Sequence, residues 1–152
     1  MGRILGLDPG ERRIGAALSD PTGTIASPHA VIDRRAEDAG ARILAICTEY
    51  DVTRIVVGLP VTLAGTEGKS AEMARDVALL ASRATRLPVD LHDERFTSTT
   101  AEIALREGGL RREQRRDVRD KVAAAVLLQG YLDAVRASGD ADGNGTDGGT
   151  TP

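Results

Sequence analysis

Three acidic residues stand at positions where carboxylates can do chemistry. Asp8 ends an apolar run at residues 4–7 and is followed at once by Pro9-Gly10, Glu94 comes just after a short apolar segment, and Asp120 heads an Ala-rich run. Core packing requires no charge at these places, because acids are rarely buried without a partner. Three acids carried by two strands and a helix can meet around divalent cations, which prefer carboxylate oxygens.

Such a cluster has a definite chemical use. Two Mg²⁺ or Mn²⁺ ions roughly 3.5–4 Å apart activate a water and stabilise the leaving oxygen in phosphodiester hydrolysis. Plainer interpretations exist for two of the acids. Asp8 in Asp-Pro-Gly is also typical of a turn at a strand end. The triplet Asp93-Glu94-Arg95, taken alone, favours a solvated salt-bridge cluster before a helix.

The strongest concentration of positive charge lies just before Asp120. It consists of Arg111, Arg112, Arg115, Arg116 and Arg119, flanked by Arg106 and Lys121. Such runs are usually a solvated face, here with Glu113 and Asp117 as partners. Its position beside an acid of the cluster favours contact with a nucleic-acid backbone. Arg13 and Arg95 adjoin the acids and can balance their mutual repulsion.

Two further polar residues lie near the acids. Asp117 precedes Asp120 by three residues, so both can face one side of a helix. We interpret Asp117 as structural, either as a charge favoured by the helix dipole or as a partner of Arg116; a supporting role behind Asp120 remains open. His92 adjoins Asp93, and an orienting hydrogen bond is a simpler role for it than a direct part in catalysis.

Residues 63–70 resemble a phosphate-binding loop, because they end in Gly68-Lys69-Ser70 between a predicted strand and a predicted helix. Leu63 occupies the position of the first glycine of that motif, so nucleotide triphosphate binding is not expected. A helix start that exposes backbone N–H groups beside Lys69 can still hold a nucleic-acid phosphate.

Composition limits the classes of function. The 152 residues suffice for one domain with a real core. Aromatic residues make up only 2%, so stacking of bases on an aromatic platform is not expected. The net charge of −3 gives no general attraction for nucleic acid, so a local patch must supply it. The single cysteine, Cys47, excludes an internal disulfide.

The elements that must position these residues follow from periodicity and turn signals. Strands are predicted at residues 3–8, 13–19, 24–32, 54–58 and 88–92, and helices at 37–50, 70–84, 97–107 and 118–135. This order predicts a mixed sheet covered by helices. Residues 1–137 form the predicted domain, and 138–152 are a Gly/Asp/Thr-rich tail expected to be disordered. Without a leader or a membrane-spanning run, a cytoplasmic protein is expected.

Four motifs in order resemble one family. They are residues 5–10 with 13–15, residues 57–60 with Gly65, residues 93–97, and Asp120 before the Ala-rich helix. Over roughly residues 2–137 the chain resembles the YqgF/RuvX family of RNase H-like proteins, whose members are described as Holliday junction resolvases or pre-16S rRNA nucleases. Phe96 and Lys121 depart from the family pattern.

The resemblance implies an α/β RNase H-like fold with a five-stranded mixed sheet whose first three strands are antiparallel. It also implies that Asp8, Glu94 and Asp120 form the acidic triad of a Mg²⁺- or Mn²⁺-dependent nuclease. The expected activity is processing of the 5′ end of pre-16S rRNA, with ribosomal precursor particles as possible partners. Cleavage of branched DNA and non-catalytic RNA binding in ribosome assembly are the alternatives. We expect no membrane partner and either a monomer or a homodimer. The predicted nucleic-acid contacts are Arg13, Lys69, Arg95, Arg111, Arg112, Arg115, Arg116 and Lys121.

Overall fold

The computed structural model describes residues 2–59, 68–93 and 112–142. Five strands form one sheet: β1 (Arg3–Asp8), β2 (Arg13–Ser19), β3 (Ala26–Asp33), β4 (Val52–Leu59) and β5 (Val89–Asp93). The described helices are α1 (Ala39–Glu49), α2 (Lys69–Thr85) and α3 (Arg112–Asp142). The helix predicted at residues 97–107 lies outside the described residues. None of the three described helices is long and apolar enough to cross a membrane.

The strand order is β3-β2-β1-β4-β5. β1 pairs antiparallel with β2 and β2 with β3, whereas β1 with β4 and β4 with β5 are parallel. The predicted mixed sheet with three antiparallel leading strands is therefore confirmed. Because β1, β4 and β5 run the same way, Asp8, Leu59 and Asp93 end their strands at one edge of the sheet.

Side chains alternate between the two faces of the sheet. On one face, Leu5, Ile14 and Ile55 pack with residues of α1 and α2 into the larger core cluster. On the other, Ala17 and Val56 pack against α3 in a second cluster. We call this second side the α3 face. The alternation along β1 places Asp8 on the α3 face with Ile4 and Gly6.

α3 packs close to the sheet because β1 carries a glycine beneath it. A Cβ on Gly6 would come within 2.8 Å of the Cβ of Leu128. Leu128 is fully buried there, together with Ala124 and Leu132. Small residues at the crossing allow the two backbones to approach and fix where α3 lies on the sheet.

α3 is longer than predicted. The sequence predicted a helix at residues 118–135, and the structure shows Arg112–Asp142. The prediction was wrong at the start of the helix because it relied on apolar periodicity, and the first turns contain almost only Arg, Glu, Gln and Asp. Arg, Glu and Gln are good helix formers without any apolar stripe. At the other end the helix continues five residues beyond the predicted domain boundary.

Candidate metal and nucleic-acid site

Asp8 lies between two glycines in a row across the α3 face. Its cross-strand partner on β2 is Gly15. On the other side, the pairing of Leu7 with Val57 places Asp8 beside Gly58, and Gly58 pairs with His92 on β5. The neighbours of Asp8 in this row therefore carry no side chains. An acid at the end of a buried strand is thus held on a rigid element.

Asp120 reaches the same place from α3. A Cβ on Gly15 would overlap the backbone O of Asp120 and lie 3.4 Å from its Cα, so α3 contacts β2 directly at this glycine. Paired Cα atoms on antiparallel strands are roughly 4.5–5.5 Å apart, so the Cα atoms of Asp8 and Asp120 are at most roughly 10 Å apart. Asp8 on β1 and Asp120 on α3 therefore both lie next to Gly15.

Arg13 holds the side chain of Asp120. Its Nε lies 3.1 Å from Asp120 Oδ2, and the two side chains are 21% and 28% exposed. Arg13 and Gly15 are two residues apart on β2, so they share the α3 face. The ion pair fixes the carboxylate of Asp120 close to the β1–β2 end of the sheet, as the sequence anticipated when it paired Arg13 with the acids.

An open cleft of about 340 Å³ adjoins this pair. Its lining combines three arginines with two acids and one apolar residue: Arg12, Arg13, Arg116, Asp33, Asp117 and Val31. Arg12 donates to Asp33 Oδ2 at 3.4 Å and is half-exposed. The sequence analysis missed Arg12, although its position beside Arg13 in the β1–β2 turn was a usable signal.

Asp117 lies on the cleft wall and is exposed. One of its predicted roles, a charge favoured by the helix dipole, does not fit. α3 begins at Arg112, which places Asp117 beyond the first turn, where the dipole effect is largely lost. The longer helix is the physical reason for this correction.

The end of β5 lies on the far side of Asp8. The ring of His92 packs edge-on against Tyr131 of α3, with 5.6 Å between the ring centroids. Burial lowers the pKa of His92, which the charge of Asp93 partly offsets. The neutral imidazole is therefore favoured at neutral pH. Glu94, the next residue, lies outside the described residues.

A polar network behind His92 escaped the sequence analysis. Asp90 Oδ2 accepts a hydrogen bond from Tyr131 Oη at 2.7 Å and lies 2.8 Å from Arg54 Nη1. Burial and the hydrogen bond to Asp90 raise the pKa of Tyr131 to about 12. The residues are 41 and 36 positions from Asp90 in sequence, so no local spacing links them.

The structure describes only some of the other predicted nucleic-acid contacts. Glu94, Arg95 and Arg111 lie outside the described residues, and Lys69 and Arg112 are the first residues of α2 and α3. Arg115 and Arg116 are exposed. Lys121 is half-buried. Its charge contributes to lowering the pKa of His29, which is lowered mainly by burial and then by Arg42, with the charge of Glu49 opposing the shift.

The donors in place suit a hard cation. Asp8 and Asp120 offer carboxylate oxygens, the ligand atoms that hard cations prefer. Within residues 2–59, 68–93 and 112–142, no group of three His, Cys, Asp or Glu side chains forms a complete metal site. Two of the three predicted ligands are thus brought together, and the third is not described. Cys47 is buried, which raises its pKa to about 11 and makes it a poor ligand or nucleophile.

A mixed sheet of this order, with one acid ending its first strand and another on a helix packed across it, defines an RNase H-like protein. The chain belongs to the RuvX family, whose model is described as Holliday junction resolvase and matches residues 2–134. Curated relatives of the chain carry the name "Putative pre-16S rRNA nuclease". The protein of Lachnospira eligens is 44% identical over 87% of this chain and 97% of its own length. That of Chloroflexus aurantiacus is 45% identical over 89% of each chain. That of Mycolicibacterium smegmatis is 43% identical over 97% of this chain and 89% of its own.

Solved structures agree on the fold. Thermus thermophilus RuvC, solved with a Holliday junction substrate, aligns with a TM-score of 0.57 and 17% identity over 91% of this chain and 98% of its own. A second structure of Thermus thermophilus RuvC gives a TM-score of 0.55 at 16% identity, over 89% of this chain and 96% of that one. At such identity the likeness concerns the fold alone.

Proposed function

We propose that the protein is a Mg²⁺- or Mn²⁺-dependent nuclease that processes the 5′ end of pre-16S rRNA. The observation that carries the proposal is the convergence of Asp8 and Asp120 at Gly15, beside a cleft lined by arginines. The name that the curated relatives carry supports the choice of substrate.

In this proposal Asp8, Asp120 and Glu94 hold the divalent cations. When bound, these cations would supply an activated water and stabilise the leaving oxygen of the phosphodiester. Arg13 keeps the carboxylate of Asp120 turned toward the β1–β2 end, where Asp8 also lies. It also offsets part of the repulsion between the acids when no cation is bound.

The cleft has the charge to guide a phosphate backbone. Arg12 and Arg116 line it, and their guanidinium groups can contact phosphate oxygens in a bidentate manner. Arg115 extends the same basic surface along α3. Lys69, Arg95, Arg111, Arg112 and Lys121 complete the proposed set of nucleic-acid contacts. Residues 1–137 form the proposed nuclease domain, acting in the cytoplasm.

Cleavage of branched DNA is the second candidate. It is favoured by the description of the family model as Holliday junction resolvase. Resolution of a junction requires two symmetric cuts, so it calls for a homodimer. A strictly monomeric protein would favour the RNA substrate.

The decisive experiment compares two labelled substrates, a pre-16S rRNA 5′ leader and a four-way DNA junction, with Mg²⁺ or Mn²⁺. We expect cleavage of the leader by the wild-type protein and none by Asp8→Asn, which removes charge but little volume. Asp76→Asn changes an exposed acid of α2 on the opposite side of the sheet and should cleave like wild type. Full activity of Asp8→Asn would contradict the metal site. Binding of the leader without cleavage under either metal would indicate an assembly factor.

A further inference from the structure

β5 is a short strand at one side of the described sheet. It has five residues, none of them fully buried, and in the described part of the sheet it pairs only with β4. Its end nevertheless lies level with Asp8, since His92 pairs with Gly58 in the row that contains Asp8. The position of this short edge strand relative to Asp8 and Asp120 must therefore be maintained by contacts with other elements.

Tyr131 forms a link between α3 and this strand. Its hydroxyl donates to Asp90 Oδ2 at 2.7 Å, and its ring packs against His92. Asp90 pairs with Val56, and Val56 with Gly6, the residue on which Leu128 of α3 packs. The link therefore lies one pleat away from the row of Asp8.

A third element completes the link. Arg54 of β4 also engages Asp90 Oδ2, at 2.8 Å. Hydrogen bonds to an ionised carboxylate are shorter and stronger than neutral ones. One carboxylate oxygen thus joins β4, β5 and α3 at a half-buried position.

We propose that Tyr131, through Asp90, is a positioning residue that sets the end of β5 relative to Asp120. Tyr131 and Asp120 lie on one rigid helix, eleven residues apart, and Asp90 and His92 lie on one strand. The hydrogen bond therefore fixes the distance between the two carriers of the proposed site. This inference rests on the proposed function, because Glu94 is the residue that follows β5.

The test uses Tyr131→Phe, which removes one oxygen and keeps the ring against His92. Tyr50→Phe is the matched control, since Tyr50 is the other of the two tyrosines and packs against the opposite side of the sheet. Four quantities are measured on the full chain: Mn²⁺ affinity by calorimetry, amide hydrogen exchange of β5 without metal, and kcat and KM on the RNA leader.

For Tyr131→Phe we expect Mn²⁺ affinity to fall by roughly 10-fold, in the range seen for groups that orient metal ligands. We expect kcat to fall by about the same factor, with KM unchanged and faster exchange of the β5 amides. Asp90→Asn should change Mn²⁺ affinity, kcat and the exchange of the β5 amides in the same way as Tyr131→Phe does. Tyr50→Phe should shift none of them.

Unchanged Mn²⁺ affinity and kcat in Tyr131→Phe, with a wild-type protein that binds Mn²⁺ and cleaves, would overturn the positioning role. Faster β5 exchange alone, without either change, would reduce Tyr131 to a structural residue and also overturn it. A wild-type protein that neither binds Mn²⁺ nor cleaves would instead contradict the proposed function, so the two failures are distinguishable.

Discussion

The guanidinium of Arg13 and the carboxylate of Asp120 join β2 to α3, with 3.1 Å between Nε and Oδ2. The residues are 107 positions apart in sequence, so the pair connects the beginning of the described chain to its last helix. Both side chains are mostly shielded from water, so we expect this pair to stabilise the fold more than a surface ion pair does.

A double-mutant cycle measures the contribution of the Arg13–Asp120 ion pair to stability. We expect Arg13→Ala to lower the free energy of unfolding by about 1–2 kcal/mol, between the values for exposed and buried pairs. The coupling energy with Asp120→Ala should be about 1 kcal/mol, because each single variant already breaks the contact. Urea unfolding of the four proteins gives the result. A coupling near zero would show that the pair does not hold α3 on β2.

Gly15 is expected to tolerate no side chain. In Gly15→Ala the added Cβ meets backbone, which cannot rotate aside, so α3 must move away from the sheet. We expect a loss of about 2–3 kcal/mol, typical of overpacking, together with loss of Mn²⁺ binding. Gly68→Ala, where a Cβ has nothing within 4 Å, is the control and should change stability by less than about 1 kcal/mol. Normal Mn²⁺ binding by Gly15→Ala would place the proposed site elsewhere.

The cleft arginines should act through phosphate contacts. We expect Arg12→Ala and Arg116→Ala each to weaken leader binding and to reduce the slope of log K against log salt by about 0.7–0.9. Arg83→Ala, an exposed arginine of α2 on the other side of the sheet, should leave the slope as in wild type. Binding isotherms at several salt concentrations provide the measurement. An unchanged slope for both cleft variants would remove the cleft from the binding surface.

Tyr131 should make the protein less stable as the pH rises into the alkaline range. Its pKa is raised from 10.0 to about 12, because burial and Asp90 disfavour the phenolate. The raised value in the folded state means that its contribution is fully present below pH 10 and is lost as the pH rises through about 12. A phenolate absorbance titration should contain a component near 12 that Tyr131→Phe removes. If Tyr131→Phe removed no component near 12, the result would contradict the hydrogen bond to Asp90.

Much of the sheet was predictable because local patterns and tertiary packing agree there. The bounds of β1 and β2 were predicted as observed, since apolar residues fill both strands and turn residues bound them. The early start of α3 was not predicted, because charged helix formers leave no apolar periodicity. The Asp90–Tyr131 hydrogen bond was equally hidden, because it depends on how a helix and an edge strand meet in space.

The candidate site was predictable only in part. Asp8 and Asp120 were chosen from their places at the ends of apolar runs, and their convergence follows from the position of Gly15. In the sequence Gly15 stood out only as part of residues 13–15, within the first of the four motifs that resemble the family. That motif gave no sign that a helix 105 residues later would rest on that glycine.

β3 closes one side of the sheet, and its shape has a bearing on self-association. Pro28 lies within it, and the pairing with β2 shifts register between Ala16 and Ala17. Proline lacks an N–H, and a bulge twists a strand, so another strand cannot easily extend the ladder there. A homodimer built by continuing the sheet across β3 is therefore disfavoured, and two copies would have to meet through another surface.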